Sequence, residues 1–132
     1  MQKLAVIDTN VLVSAMVSPN PNSPTIKVIE AVLTGRIVPL YNDEILSEYL
    51  EVLHRTKFNL LEVVINNVVG SIVKMGLFVG RLHTDEPFTD PKDVIFFETA
   101  LSVEGSYVVT GNLKHFPKSP IVITPAEMVK ML

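Results

Sequence analysis

The stretch KLAVIDTNVLVSAM (residues 3–16) joins two apolar segments through a short polar interruption. Residues 4–7 are too few and too apolar for an exposed helix, so they predict a buried strand that ends at Asp8. Asn10 is expected to cap a short helix that continues through Met16. Burying an ionised carboxylate beside this much apolar surface is costly unless something pairs with it. The role of Asp8 therefore needs an explanation.

The alternation of strands and helices continues along the whole chain. Ser23, Asn42 and Asn59 are the expected helix caps, and Gly35 and Gly76 the expected helix ends. Further strands are predicted at 36–41, 77–79, 106–110 and 121–124, and helices at 24–34, 43–56, 60–75, 92–102 and after Pro125. This alternation predicts an α/β fold, a parallel β-sheet sandwiched by α-helices in three α/β/α layers.

The amino-acid composition limits the number of domains, the type of metal site and the surface charge that the protein can have. A chain of 132 residues is expected to form a single domain. It has no cysteine, so any metal site must use carboxylates, amides or imidazoles. The hydrophobic content of 48% and mean hydropathy of +0.37 suggest that apolar surface is also buried against a second subunit. The net charge of −3 argues against a broadly basic surface for nucleic acid, although local basic patches remain compatible with it.

No segment of the sequence predicts membrane insertion. The N-terminus lacks a basic segment followed by an apolar run and a cleavage site, so a cytoplasmic location is expected. The most apolar segment is residues 60–80, but Glu62, Asn66, Gly70 and Lys74 recur in it at helical spacing. That polar stripe predicts an amphipathic helix and not a transmembrane one.

Two acidic residues have both a structural and a functional interpretation. Asp8 follows the first strand, at the sheet edge where α/β folds place their sites, yet Asp-Thr-Asn is also ordinary capping chemistry. In the helix after Asn42, Glu48 lies at the edge of the apolar sector, whereas Glu44 and Glu51 lie nearly opposite it. Glu48 is therefore either turned inward or a snorkelling surface residue.

Asp93 gives a clearer signal. It lies one turn before Phe97, within the stripe that is expected to be buried, so its side chain should point inward. The members of that stripe are Val94, Phe97, Ala100 and Leu101. The alternative is a first-turn acid that supports the helix dipole while Asp90 acts as the N-cap. A capping acid need not point inward, which favours a functional role.

Thr110 and Asn112 end a later strand and offer a hydroxyl and an amide at the same sheet edge, although Thr-Gly-Asn also suits a turn. Lys114 and His115, which follow, are expected to be solvated loop residues. His54 and His83 lie at no spacing that indicates a metal triad, and they are expected at the surface.

Three carboxylates from separate elements, all directed to one sheet edge, would repel one another unless cations lay between them. Oxygen ligands select hard divalent ions such as Mg²⁺ or Mn²⁺. Such a cluster suits hydrolysis of phosphodiesters, because a metal ion activates water and neutralises charge on the phosphate. Without catalysis, the same cluster would be a metal-dependent binding site.

Four segments in order resemble PIN-domain proteins of the VapC-like toxin branch. They are VIDTNVLVSA (6–15), EILSEYLEVLHR (44–55), DPKDVIFFETAL (90–101) and YVVTGNLKHFP (107–117). The resemblance spans nearly the whole chain. It implies a single PIN-like nuclease domain over residues 1–132, with Mg²⁺- or Mn²⁺-dependent ribonuclease activity. It further implies a homodimer and a cognate antitoxin as partner.

The resemblance also assigns residues. Asp8, Glu48 and Asp93 match the three core acids of the family, and Asn10 and Thr110 match polar positions that support them. Asn112 stands where many members have a fourth acid, so the cluster lacks one formal charge there.

From these residues we expect Asp8 and Asp93 to bind the cation directly, with Glu48 completing the cluster directly or through water. Asn112 and Thr110 would position water or phosphate. Lys114 would contact RNA phosphate, with Lys92 and Arg81 as further basic candidates.

The sequence also has to be compared with three alternative functions. The first is a catalytically weak or inactive PIN-like module that binds RNA or a partner, which Asn112 makes conceivable. A receiver-type phosphoacceptor domain would need an adjacent acid pair early in the chain, and Asp8 has no acidic neighbour. A haloacid-dehalogenase-type phosphatase would need a second aspartate where Asn10 stands.

Overall fold

The sheet has five parallel strands in the order β3-β2-β1-β4-β5. The computed structural model describes residues 2–132. The strands are β1 (Lys3–Ile7), β2 (Ile37–Tyr41), β3 (Leu77–Phe78), β4 (Tyr107–Val109) and β5 (Val122–Ile123). Because all the strands are parallel, their carboxyl ends meet at one edge of the sheet.

Six helices connect the strands in the described part of the chain. They are α1 (Thr9–Val17), α2 (Pro24–Leu33), α3 (Asp43–Leu53), α4 (Glu62–Met75), α5 (Val94–Leu101) and α6 (Pro125–Lys130). Helix α2 packs against α1, α4 and α6, whereas α5 packs against β1, β2 and β4. Short 3-10 turns lie at Thr56–Phe58, Pro91–Asp93 and Leu113–His115. The predicted parallel α/β fold with three layers is confirmed.

The first strand occupies the centre of the sheet. Ala5, Val6 and Ile7 are fully buried, because β1 pairs with β2 on one side and β4 on the other. In the pairing of β1 with β4, Ile7 lies opposite Val109. The residue that follows β1 therefore lies beside the residue that follows β4, although the two are far apart in sequence.

Several predicted helix ends are confirmed and two are wrong. The Asn42 side chain caps α3 by accepting from the Ile45 N–H, and Gly35 follows α2 with a φ of +80°. Helix α1, however, begins at Thr9, so Asn10 lies inside it and Asp8 holds the N-cap position. Helix α4 is preceded by Leu61, whereas Asn59 ends a 3-10 turn in the left-handed conformation.

Helix α4 is amphipathic, as predicted. Ile65, Val69 and Ile72 are buried, whereas the predicted polar stripe of Glu62, Asn66, Gly70 and Lys74 is exposed. Within residues 2–132, no helix combines the length and the apolar character needed to cross a membrane.

Helix α5 is more deeply buried than its predicted stripe. All five residues from 96 to 100 are buried, whereas Val94 and Leu101 are only half-buried. The buried set includes Glu98, whose carboxylate accepts from Arg81 Nε at 2.8 Å and from the Thr84 N–H at 2.8 Å. These hydrogen bonds attach residues 81–84, in the long segment before α5, to the helix.

The same arginine bridges to a third element, because Arg81 also donates to Glu44 on α3 at 2.6 Å. Burial alone would raise the pKa of Glu98, but the Thr84 N–H and the Arg81 guanidinium hold that pKa below its ordinary value. Glu98 therefore contributes stability as a carboxylate.

Replacing Glu98 by Gln tests this tether. We expect the free energy of unfolding at pH 7 to fall by about 2 kcal/mol, because Arg81 and Thr84 lose a charged acceptor. Since the folded pKa is lowered, the difference should shrink as pH falls below 4.5, the ordinary value. Urea denaturation at several pH values measures both effects. Glu104→Gln, at an exposed site, is the matched control; equal stability of the two variants at pH 7 would contradict the tether.

Candidate active site

The carboxylate of Asp8 is buried at the carboxyl end of β1, with 5% of the residue exposed. Its Oδ2 accepts from Thr110 Oγ1 at 2.8 Å and from Asn10 Nδ2 at 3.2 Å. Asp8 holds the N-cap position of α1, yet its side chain makes no capping hydrogen bond. The carboxylate therefore bonds to neighbouring polar side chains instead of capping the helix.

The side chains of Asn10 and Tyr49 hold the groups around Asp8 in place. The Asn10 side chain uses its amide nitrogen for Asp8 and its Oδ1 to accept from the Gly111 N–H at 3.1 Å. Beneath the site, the buried Tyr49 hydroxyl donates to the Ile7 carbonyl at 2.5 Å. Burial, with a contribution from the Asp8 charge, raises the pKa of Tyr49, so the phenol stays protonated.

Asp93 lies where the 3-10 turn Pro91–Asp93 runs directly into α5, and its own backbone is helical. Its side chain makes no capping bond, whereas Asp90 caps the 3-10 turn by accepting from the Lys92 N–H at 3.0 Å. The Asp93 side chain is 15% exposed, and its Oδ2 is buried with no hydrogen-bond partner. His115 Nδ1 lies 3.5 Å from that oxygen.

Both aspartates open onto one cleft of about 630 Å³. Glu48 on α3 is half-buried and lines the same cleft. The acidic side chains of the lining are Asp8, Glu48, Asp90 and Asp93, and the basic ones are Arg55, Lys92 and His115. The cleft thus combines a cluster of acids with a few cationic or polar groups.

The pKa values of Asp8 and Asp93 are both raised. The pKa of Asp8 is raised from 3.8 to about 6, mainly by burial and also by the Asp93 charge, against the opposing effect of the Thr110 hydrogen bond. Burial also raises the pKa of Asp93, with added repulsion from Asp90 and Glu48. Such shifts are typical of carboxylates that lack a compensating positive charge.

The family model of the PIN domain matches residues 4–114, which include every element of the cleft except the His115 side chain. The chain belongs to the PIN-domain family. PIN domains are generally nucleases, so the fold is a nuclease fold. A search of the curated proteins found no match.

In this PIN-domain protein, the predicted residues fall into two groups. Asp8, Glu48, Asp93 and Asn10 all line the cleft, and Thr110 is fully buried beneath Asp8. Asn112 and Lys114 do not line it. These two residues are exposed and lie in separate grooves next to the Thr110–Gly111 turn.

Two residues of the cleft were not predicted. Arg55 lies seven residues after Glu48, almost two helical turns along, and that spacing could have placed it on the same side of the chain. His115 is exposed, as expected of a solvated residue, and it also faces Asp93 from the 3-10 turn Leu113–His115. No periodicity marks a residue in so short a turn.

The side chains of the cleft meet some of the requirements of a bound metal ion. Within residues 2–132, no three side chains of the His, Asp or Glu type are close enough together to hold an ion. Two features nevertheless suit a divalent cation, namely the unpartnered Asp93 Oδ2 and the buried charge of Asp8. Carboxylate oxygens of this kind are the ligands that Mg²⁺ and Mn²⁺ prefer.

The raised pKa of Asp8 predicts a pH-dependent effect of Asp8→Asn. Because the folded pKa exceeds the unfolded one, ionised Asp8 destabilises the fold at high pH, and protonation removes this cost as pH falls from about 6 toward 3.8. In EDTA, we expect Asp8→Asn to be more stable than wild type by about 2 kcal/mol at pH 8, with a smaller difference at pH 4.5.

Urea denaturation at the two pH values measures this difference. Asp85→Asn is the control, since the Asp85 side chain is 97% exposed. If the wild type were as stable as Asp8→Asn at pH 8, burial of the ionised Asp8 carboxylate would carry no cost, and this interpretation of its raised pKa would be wrong.

The Thr110 hydroxyl should partly compensate the Asp8 charge. Thr110→Val keeps the side-chain shape but removes the donor, so we expect a loss of about 2 kcal/mol in the free energy of unfolding at pH 8. Thr110→Ser keeps the hydroxyl and should lose less. NMR titration of the Asp8 carboxyl carbon should show a higher pKa in Thr110→Val only. Identical titrations in the two variants would argue against the hydrogen bond.

Proposed function

We propose that this PIN-domain protein is a Mg²⁺- or Mn²⁺-dependent ribonuclease that hydrolyses RNA phosphodiester bonds. The observation that carries the proposal is the pair of aspartates Asp8 and Asp93, which make no capping bonds although Asp8 is buried and Asp93 is half-buried. Both line one cleft with Glu48. Carboxylates held in this way are costly for the fold and suited to a cation.

Asp8 and Asp93 would hold the ion directly, and Glu48 would complete the site directly or through water. When bound, a divalent ion activates water for attack on the phosphate and neutralises developing negative charge. The protein's own contribution is orientation. Thr110, which follows β4, and Asn10, in α1, hold Asp8 Oδ2 in place.

RNA would be drawn to the cleft by its basic lining, Arg55 and Lys92. Arg81, a candidate from the sequence, is engaged by Glu44 and Glu98 and is therefore not proposed as a phosphate contact. Asn112 and Lys114 lie in grooves next to the cleft. We propose that they contact the RNA strand on either side of the cleaved bond, Lys114 through phosphate.

We further propose that the protein is a cytoplasmic toxin of a toxin–antitoxin pair, of the VapC-like branch, and that it forms a homodimer. The support is the four sequence segments shared with that branch and the amount of exposed apolar surface. An apolar groove of about 240 Å³ lies between α1, α2 and α4, and Leu33 beside it is 54% exposed. A second subunit or an antitoxin would cover such a surface.

One observation favours a second candidate, a PIN-like module that binds RNA or a partner but cleaves weakly or not at all. In the described part of the chain, no three potential ligands are already assembled for a metal. Asn112 also supplies no charge where many family members have a fourth acid.

Cleavage of a labelled single-stranded RNA tests the proposal. We expect cleavage in Mn²⁺ and none in EDTA. The double variant Asp8→Asn with Asp93→Asn should reduce the rate at least about a hundredfold, because the ion loses its ligands. Asp85→Asn is the matched charge control, and circular dichroism checks that the variants fold.

The results of these experiments distinguish a ribonuclease from a module that only binds RNA. Full activity in the double variant would contradict the metal-site assignment. Mn²⁺-dependent RNA binding without cleavage by the wild type would instead support the binding module. A thermal shift on adding Mn²⁺, present in the wild type and absent in the double variant, reports ion binding without relying on activity.

A further inference from the structure

The cleft changes from acidic to apolar along the two helices that line it. On α1 its lining runs from Asp8 to Val17, nine residues later, which corresponds to about 13 Å at the rise of an α-helix. Along α3 and the turn that follows, the lining runs from Glu48 to Phe58. The far end, which we call the apolar end of the cleft, consists of Val13, Val17, Val52 and Phe58. Apolar side chains gathered in an open cleft indicate a surface that binds a ligand.

Phe58 is the aromatic member of this apolar end, and the 3-10 turn Thr56–Phe58 carries it. The turn is closed by the Phe58 N–H, which donates to the Arg55 carbonyl at 3.1 Å. Among residues 2–132, the half-buried apolar side chains that pack against the hydrophobic core include Val13 but not Phe58. Core packing therefore does not explain why a phenyl ring stands in the wall of the cleft.

Two cations accompany the Phe58 ring. Arg55 lines the cleft three residues earlier, and Lys57 Nζ lies 5.1 Å from the ring centroid. The ion pair of Arg55 with Glu51 is partly exposed, so solvent weakens it. Lys57 is exposed as well, and an exposed cation–π contact is weaker than the stacking of a nucleobase on an aromatic ring. A base can therefore displace the Lys57 ammonium, and both cations can then pair with phosphate.

We propose that the apolar end of the cleft binds one unpaired nucleobase of the RNA, stacked on the Phe58 ring. The inference rests on the proposed ribonuclease function and adds that the RNA is single-stranded at this nucleotide. A base inside a duplex has its faces covered by neighbouring bases, whereas an unpaired base can stack on a protein ring. Because every base has a π-face, such stacking contributes affinity with little dependence on base identity.

Phe58 has two competing roles, namely packing of its own turn and contact with an apolar side chain of a protein partner. The charges favour RNA, because Arg55 and Lys57 match a phosphate next to the base, whereas an apolar peptide gains nothing from them. Stacking alone makes the effect of the Phe58 ring depend on the presence of a base in the RNA. The experiment therefore changes the protein and the RNA together.

The RNAs are a labelled single strand and a series of copies in which one nucleotide at a time is abasic. The variants are Phe58→Leu, which removes the ring but stays apolar, and Phe58→Tyr, which keeps the ring. Phe78→Leu is the matched control, because the Phe78 side chain is 62% exposed and lies in a different groove. Fluorescence anisotropy in EDTA, where no cleavage is expected, measures Kd for each pair of protein and RNA.

We expect one position at which the abasic nucleotide raises the Kd of the wild type about tenfold, equivalent to about 1.4 kcal/mol. Phe58→Leu should raise Kd for the intact RNA by the same factor, and the abasic nucleotide at that position should then add less than about twofold. Phe58→Tyr and Phe78→Leu should stay within about twofold of the wild type on both RNAs. In Mn²⁺, KM for cleavage should follow the same pattern.

Val17→Ala decides the question if Phe58→Leu does not fold, since Val17 is 50% exposed and its truncation leaves the core intact. We expect it to raise Kd about threefold for the intact RNA and not for the abasic one. Independent effects of the protein and RNA changes at every position would overturn the base contact, even if the wild type cleaves RNA. Coupled effects without cleavage would overturn the ribonuclease proposal and leave the base contact standing. If the wild type neither binds nor cleaves RNA, both proposals fail.

Discussion

A hydrogen bond between the Thr110 hydroxyl and the Asp8 carboxylate links two residues that are 102 positions apart in sequence. It forms because β1 and β4 are neighbours in register, with Ile7 opposite Val109. Asn10 adds a second link, since its side chain bonds both Asp8 and the Gly111 N–H. The cleft depends on these contacts, because they hold its most deeply buried acid, Asp8, at the centre of the sheet edge.

Two of the six described helices, α3 and α6, begin with a side-chain cap. Asn42 caps α3, and Thr124 and Glu127 form a complete capping box at α6. Asp8 and Asp93 precede α1 and α5 without making a capping bond, as Ser23 does before α2. The two aspartates differ from Ser23 because their side chains line the acidic cleft, where function, and not stability, is expected to determine the residue. The raised pKa values of both aspartates express the cost to stability in electrostatic terms.

Much of the fold follows from local sequence pattern. Short apolar runs alternating with amphipathic helices identify a parallel sheet, and helical spacing places Glu48 at the edge of an apolar face and directs Asp93 inward. These inferences need only the periodicity of each element. They succeed because α3 and the start of α5 each pack one side against the sheet or its neighbours.

The remaining features depend on contacts between distant segments. Asp8 and Asn10 are equally good caps by residue type, and the choice is made by Gly111, more than a hundred residues later. His115 enters the cleft through a three-residue turn that carries no repeating pattern. Likewise, α5 is buried beyond its predicted stripe because the segment with Arg81 and Thr84 bonds to Glu98.

The central position of β1 has a consequence for biosynthesis. This strand is made before its partner β4, which begins about a hundred residues later, and Asp93 comes shortly before β4. Between the synthesis of the two strands, the nascent chain carries Asp8 without the neighbours that assemble the cleft. Pairings this distant in sequence also slow folding. The acids of the cleft can thus come together only after β4 has been made.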